Sequence, residues 1–191
     1  MIGYKRHSAT MPSEVTLLLR QYQAGDANAL DNLAKLVYPD LKALARQRGT
    51  RIGPQVMGAT TLVQETFAKF LSSGQIEPKD RGQFFGLAAT IMRRLIIDEV
   101  RKHTASKRDA ARLDIEQDAL HDDAAVAPEF LLSVDQALDV LKNADERLAR
   151  VFECRYFAGL SVIETAAALE LSERSTERLW QQARNRLAEL L

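Results

Sequence analysis

The sequence predicts an all-α chain: two small helical modules joined by an acidic linker, the C-terminal one containing a helix-turn-helix. Three observations lead there. Apolar residues recur at intervals of three and four along nearly every segment, with no strand-like alternation. Ala, Leu, Arg and Glu are plentiful while aromatic residues make up only 6% of the chain, a balance that favours helices. The five prolines and nine glycines fall mostly between the periodic segments. The expected modules span 14–103 and 129–191, with 104–128 as the linker.

Met1 to Pro12 is polar and aperiodic and reads as a loose tail. Glu14 to Ala24 is a helix with Val15, Leu18, Leu19 and Tyr22 on one face, broken by Gly25-Asp26. Asp26 can cap the next helix, which carries Leu30, Leu33, Ala34, Val37, Leu41 and Leu44 inward and stops near Arg48-Gly49. Pro39 lies inside that pattern and predicts a kink or break. After the loop Thr50–Met57, Ala59 to Leu71 forms a helix with Val63, Phe67, Phe70 and Leu71 apolar. A loop over Ser72–Arg81 precedes a long helix, Gln83 to Lys102, with Phe84, Leu87, Ala88, Ile91, Leu95 and Val100 inward. Thr104 to Ala127 reads as a linker, helical at its start. Helices follow over Glu129–Leu141 and Asp145–Phe157, the latter ended by Gly159.

The end of the chain is the most informative stretch. Val162, Ile163, Ala166 and Leu169 mark a short helix, Leu171 plugs a tight turn, and Ser172 can cap a long second helix. That helix is expected to bury Thr176, Trp180, Ala183, Leu187 and Leu190. Its other face carries Arg174, Ser175, Glu177, Arg178, Gln181 and Gln182, groups able to reach phosphates and base edges. An ordinary antiparallel helical hairpin with a solvated polar face fits the same pattern.

Net charge is zero, yet its distribution is uneven. From Arg81 to Arg112 eight Lys or Arg stand against three carboxylates, whereas Leu113 to Val140 holds eight carboxylates and no Lys or Arg. A basic patch therefore adjoins an acidic strip. The strip reads as a solvated tether, the alternative being that it folds over the basic patch. The single cysteine, Cys154, excludes a disulfide framework within the chain and reads as a buried core thiol. No run approaches a membrane span and no signal peptide is visible at Met1–Thr10, so the expected location is cytoplasmic. No nucleophile–base set, metal-ligand spacing or phosphate loop is present, so neither an enzyme nor a cofactor is expected.

Three motifs in order resemble those of bacterial RNA polymerase sigma factors of the extracytoplasmic-function (ECF) subfamily. Leu62-Val63-Gln64-Glu65-Thr66-Phe67 resembles the helix that docks on the polymerase clamp. Ile91 through Arg101 resembles the second-region helix beside the melted promoter, and Leu171 through Leu187 resembles the fourth region. Gly58, Ala59, Thr60 and Thr61 stand where the family usually has acidic residues, Arg94 stands where it usually has Asn, and Glu170 replaces the turn glycine.

The resemblance implies that the chain lends promoter specificity to core RNA polymerase and assists promoter opening. Arg174, Ser175, Arg178 and Gln181 would meet the minus-thirty-five element in the major groove. Lys79, Arg81, Arg93, Arg94, Arg101 and Lys102 would meet the strands of the minus-ten element, and the loop Ser72–Arg81 would take a flipped base. Phe84 and Phe85 are candidates for base stacking, with one of them core. His103 reads as a surface residue or phosphate contact. Leu62, Val63, Gln64, Glu65 and Phe67 would dock on the clamp of the β′ subunit, and the fourth region on the β flap. Thr60 and Thr61 at a helix start are candidate phosphorylation sites, where a serine/threonine kinase would restore the missing negative charge; the alternative is that they only cap the helix. An anti-sigma factor is a further possible partner, and the free chain is expected to be a monomer. The competing readings are a stand-alone helix-turn-helix transcriptional regulator, dimeric on a palindrome, and a helical adaptor without DNA dependence.

Overall fold

The computed structural model describes residues 13–52, 57–72, 78–110 and 127–191. The expected tail, parts of the loops at 50–57 and 72–81, and most of the linker lie outside these residues. The described residues form eight α-helices and one π-helical turn, with no strand among them: α1 (Glu14–Gln23), α2 (Ala27–Ile52), α3 (Ala59–Ser72), α4 (Arg81–Ala110), α5 (Pro128–Ala144), α6 (Glu146–Phe152), the π turn (Glu153–Phe157), α7 (Val162–Ala168) and α8 (Glu173–Leu190).

Local chemistry sets most of these boundaries. Ser13 Oγ accepts the Thr16 N–H at 3.2 Å to start α1, and Asp26 Oδ1 accepts the Asn28 N–H at 2.9 Å to start α2. Between them Gly25 takes φ +96, the left-handed conformation that suits glycine. Helix α2 runs unbroken through Pro39 and past Gly49. An interior proline costs about 3 kcal/mol, and burial of Val37 and Leu41 on either side of it offsets that cost. Helix α5 starts on Pro128, the favoured first position. Asp145 caps α6, and its carboxyl is held below the usual range because hydrogen bonds from Arg147 outweigh the opposing effect of burial.

Helix α4 is the centre of the molecule. It packs on α3 through Phe84, whose ring lies 6.3 Å from Phe67 and 5.2 Å from Phe70. It also packs on α5, the π turn and α7. Its first turns approach α7 closely: a Cβ on Gly82 would lie 2.5 Å from the Ala167 carbonyl oxygen, and one on Gly86 3.3 Å from that of Ala168. One continuous core results, running from Leu33, Leu41 and Met92 to Leu138, Val151 and Phe157.

Cys154 lies within this core, 1% exposed, and burial pushes its thiol up to about 12 from 9.0. A thiol-specific reagent at pH 8 should leave the native chain unmodified and label it on denaturation. The unfolded chain ionises first, so stability should fall as pH rises from about 9.0 towards about 12. Rapid labelling of native protein at pH 8 would contradict this burial.

Candidate nucleic-acid interface

Helices α7 and α8 and the turn between them present one polar surface. Ser161 and Glu164 form a reciprocal capping box at the start of α7, with the Ser161 N–H donating to Glu164 Oε2 at 2.8 Å. Ile163, expected inward, is exposed, and Thr165 and Ala168 are buried instead. In the turn Glu170 takes φ 54, the left-handed conformation for which glycine is the usual residue. The Leu171 N–H returns to the Ala166 carbonyl at 2.9 Å. Ser172 Oγ accepts the Ser175 N–H at 3.1 Å and starts α8.

Thr176, Leu179, Ala183 and Leu187 hold α8 to the core. Leu179 was missed by the sequence pattern, which placed Trp180 and Leu190 inward. Leu190 is exposed. Trp180 is half-buried at the edge, 5.4 Å from the Phe152 ring, with the Arg155 and Arg184 guanidinium groups over its face at 5.4 and 5.8 Å. The outer face exposes Arg174, Glu177, Arg178, Gln181 and Gln182. Ser175 is half-buried, its hydroxyl 2.9 Å from that of Ser172, and Gln181 donates to Glu177 at 3.1 Å. Arg174 and Arg178 lie one turn apart on an exposed helix face, a geometry suited to guanine edges and phosphates.

The basic residues of α4 fall into two groups. Arg94 and Lys102 are exposed, and Lys79 is exposed just before the helix. A groove of about 640 Å³ gathers Arg94 with Lys69, Lys142 and Arg150. Arg93 is different: it is 7% exposed and lies among carboxylates of the C-terminal helices. Its Nε donates to Asp135 Oδ1 at 2.9 Å, its Nη1 to Glu153 Oε1 at 2.8 Å, and its Nη2 to Asp139 Oδ1 at 2.7 Å. Glu153 Oε2 also accepts from the Thr90 hydroxyl at 2.9 Å, and Asp135 Oδ2 from Arg101 at 3.0 Å. Burial alone would lower the Arg93 pKa. Hydrogen bonds and ion pairing with Glu153, Asp139 and Asp135 outweigh it and raise the value, so the guanidinium stays charged. The acidic strip, read as a tether, is at its described end a helix whose Asp135 and Asp139 grip α4.

The comparison with known families places the chain as a whole. A family model described as ECF sigma factor matches residues 12–191. The chain belongs to the ECF sigma factors. It is therefore a transcription initiation factor that directs core RNA polymerase to promoter DNA. No curated protein matches the sequence at a significant level.

In this ECF sigma factor the remaining predicted residues are placed as follows. Leu62 and Val63 are buried in the core and Phe67 packs against Phe84, so they hold α3 in place, while Gln64 and Glu65 are exposed. Phe84 and Phe85 are both core, which removes them as stacking platforms. Arg81 pairs with Asp40 at 2.7 Å and lies over the Phe85 ring at 4.7 Å. Lys102 pairs with Glu99 at 3.3 Å, and His103 is half-buried. Thr60 and Thr61 are exposed in the first turn of α3, and Thr61 borders a groove that also holds Lys69, Arg101 and Lys102. Lys142 and Arg150, which share the Arg94 groove, were missed because they sit on the polar faces of helices remote in sequence from it. Among the described residues no helix is long and apolar enough to cross a membrane.

Proposed function

We propose that this ECF sigma factor reads an upstream promoter element with α8 and engages the melting region with the exposed cations around α4. The outer face of α8 carries this reading: a capped helix, anchored by Leu179, Ala183 and Leu187, with Arg174, Arg178 and Gln181 exposed in successive turns. Residues 14–103 and 129–191 act as two modules on either side of the linker 104–128. Arg94, Lys79 and Lys102 take phosphates, and Arg81, Arg93 and Arg101 join them on release from their carboxylate partners. The exposed side of α3, with Gln64 and Glu65, faces the β′ clamp, and the C-terminal module faces the β flap.

Phosphorylation of Thr60 or Thr61 by a serine/threonine kinase fits the same helix. Its first turn has no acidic residue, and a phosphate there adds about −1.5 to −2 charges where the helix dipole favours them. The test compares the wild-type chain with a Thr60→Glu, Thr61→Glu form in transcription with core polymerase, alongside DNA binding without polymerase. The expected result is promoter-specific transcript, stronger from the acidic form, with weak DNA binding by a monomeric chain alone. Equal transcription by both forms leaves the threonines as helix caps. Tight, dimeric binding to a palindrome without polymerase, and no specific transcript, would overturn the sigma mechanism in favour of a stand-alone regulator.

A further inference from the structure

The groove that gathers Arg94 with Lys69, Lys142 and Arg150 combines an apolar floor with a cationic rim. Leu87, Ile91 and Leu95 recur every four residues along one face of α4 and line it. Leu87 and Ile91 are 9% and 8% exposed and Leu95 is half-buried, so they form the floor. Lys69 and Lys142, in the last turns of α3 and α5, stand at the rim with Arg94, and all three are exposed. These three cations have no carboxylate partner among the described residues.

The acidic groups nearby are already committed. Asp135 and Asp139 hold Arg93, Glu153 holds Arg93 and Arg150, and Glu99 holds Lys102. Among the described residues the groove has one carboxylate of its own, Asp98, which pairs with Arg101 at 3.7 Å. The groove therefore keeps an excess of positive charge. Like charges gathered on one surface repel, and an anion seated between them relieves that cost. Its volume of about 640 Å³ suits a small molecule. A simple inorganic anion would leave the floor in water, and a fatty acid would use a single cation. A nucleotide with two or three phosphates uses both parts. Its base covers the floor, and its phosphates, which carry about three or four charges at neutral pH, meet the rim. Arginine can pair with two phosphate oxygens at once, and the lysines act as point charges.

We propose that this groove is a binding site for a nucleoside di- or triphosphate, with the base on Leu87, Ile91 and Leu95 and the phosphates on Arg94, Lys69 and Lys142. The site goes beyond the promoter-reading role of the chain and does not depend on it.

The test titrates the full chain, in metal-free buffer, into ADP and GDP carrying a methylanthraniloyl fluorophore on the ribose, followed by fluorescence anisotropy. Unlabelled nucleoside diphosphate, the matching nucleoside and pyrophosphate then compete for the site. The groove variant is Arg94→Gln with Lys142→Gln. The control, Lys35→Gln with Arg46→Gln, removes two exposed cations of α2, and circular dichroism checks that every form is folded. At least one probe should bind saturably, and its diphosphate should compete at least about tenfold better than nucleoside or pyrophosphate alone. The groove variant should bind at least about tenfold more weakly, while the control stays within about twofold of wild type. No saturable binding of either probe overturns the site. Equal loss in the groove and control variants reduces it to general charge attraction, and pyrophosphate competing as well as the diphosphate removes the base from it. Displacement of a probe by a single-stranded oligonucleotide but not by the diphosphate would make the groove a strand track and overturn the proposal.

Discussion

Replacing Arg93 with alanine will lower the stability of the folded chain by about 3–5 kcal/mol, the cost typical of removing one partner from a buried ion pair. The reason is what remains. Asp135 and Glu153 are 6% and 3% exposed, and both would be left charged in a site with little water. Thr90 still donates to Glu153 and Arg101 still reaches Asp135, at 2.9 and 3.0 Å, but neither replaces a guanidinium shared among three carboxylates. Asp139→Ala should cost less than about 1 kcal/mol, because its side chain is 64% exposed and recovers water when free. The Arg93 cost has a ceiling. Once it exceeds what docks α4 on α5 and the π turn, the halves separate and the carboxylates hydrate. Urea unfolding followed by circular dichroism measures the difference; an Arg93→Ala midpoint equal to that of Asp139→Ala would contradict the account.

The double substitution Arg174→Ala, Arg178→Ala should reduce promoter-specific transcription by at least 30-fold. Each arginine that pairs with two acceptors on a guanine contributes about 1–3 kcal/mol of discrimination, so two together are worth about 2–6 kcal/mol. Both side chains are exposed and lie opposite Leu179, Ala183 and Leu187, so the substitutions leave the core of α8 intact. Alanine is the best helix former, which separates loss of contact from loss of fold. The control is transcription from a premelted template, where upstream recognition matters less and the loss should shrink. An equal loss on both templates would show that α8 acts on polymerase rather than on the upstream element.

The helices were legible in the sequence because burial imposes a period near 3.6, and the caps at Asp26 and Ser172 mark starts by their own hydrogen-bonding chemistry; Ser13 and Ser161, not singled out in the sequence, cap α1 and α7 in the same way. The α8 register was legible at Thr176, Ala183 and Leu187 and misassigned at Leu179 and Leu190, because adjacent apolar residues cannot both lie at the centre of a helix face. Pro39 does not break α2: local preference opposes a helix there, and tertiary burial of Val37 and Leu41 overrides it. The candidate site was legible where it is a helix face, as at Arg174 and Arg178. It was not legible at Arg93, whose partners lie 42 and 60 residues away. A basic run and an acidic run announce attraction but do not say which members meet or whether they are buried. Spacing marked Phe84 as inward and Val63 and Phe67 as apolar positions of α3; Leu62 and Phe85 are core as well, and Phe67 packs against the core.

The most direct test of the central claim is to sequence the 5′ ends of transcripts made in vitro by core RNA polymerase from genomic DNA fragments, with and without this chain. The account predicts that adding the chain creates new start sites sharing two upstream sequence elements at fixed spacing, and that the upstream element loses its influence with Arg174→Ala, Arg178→Ala. Start sites identical to those of core polymerase alone, for the wild-type and Thr60→Glu, Thr61→Glu forms alike, would contradict it.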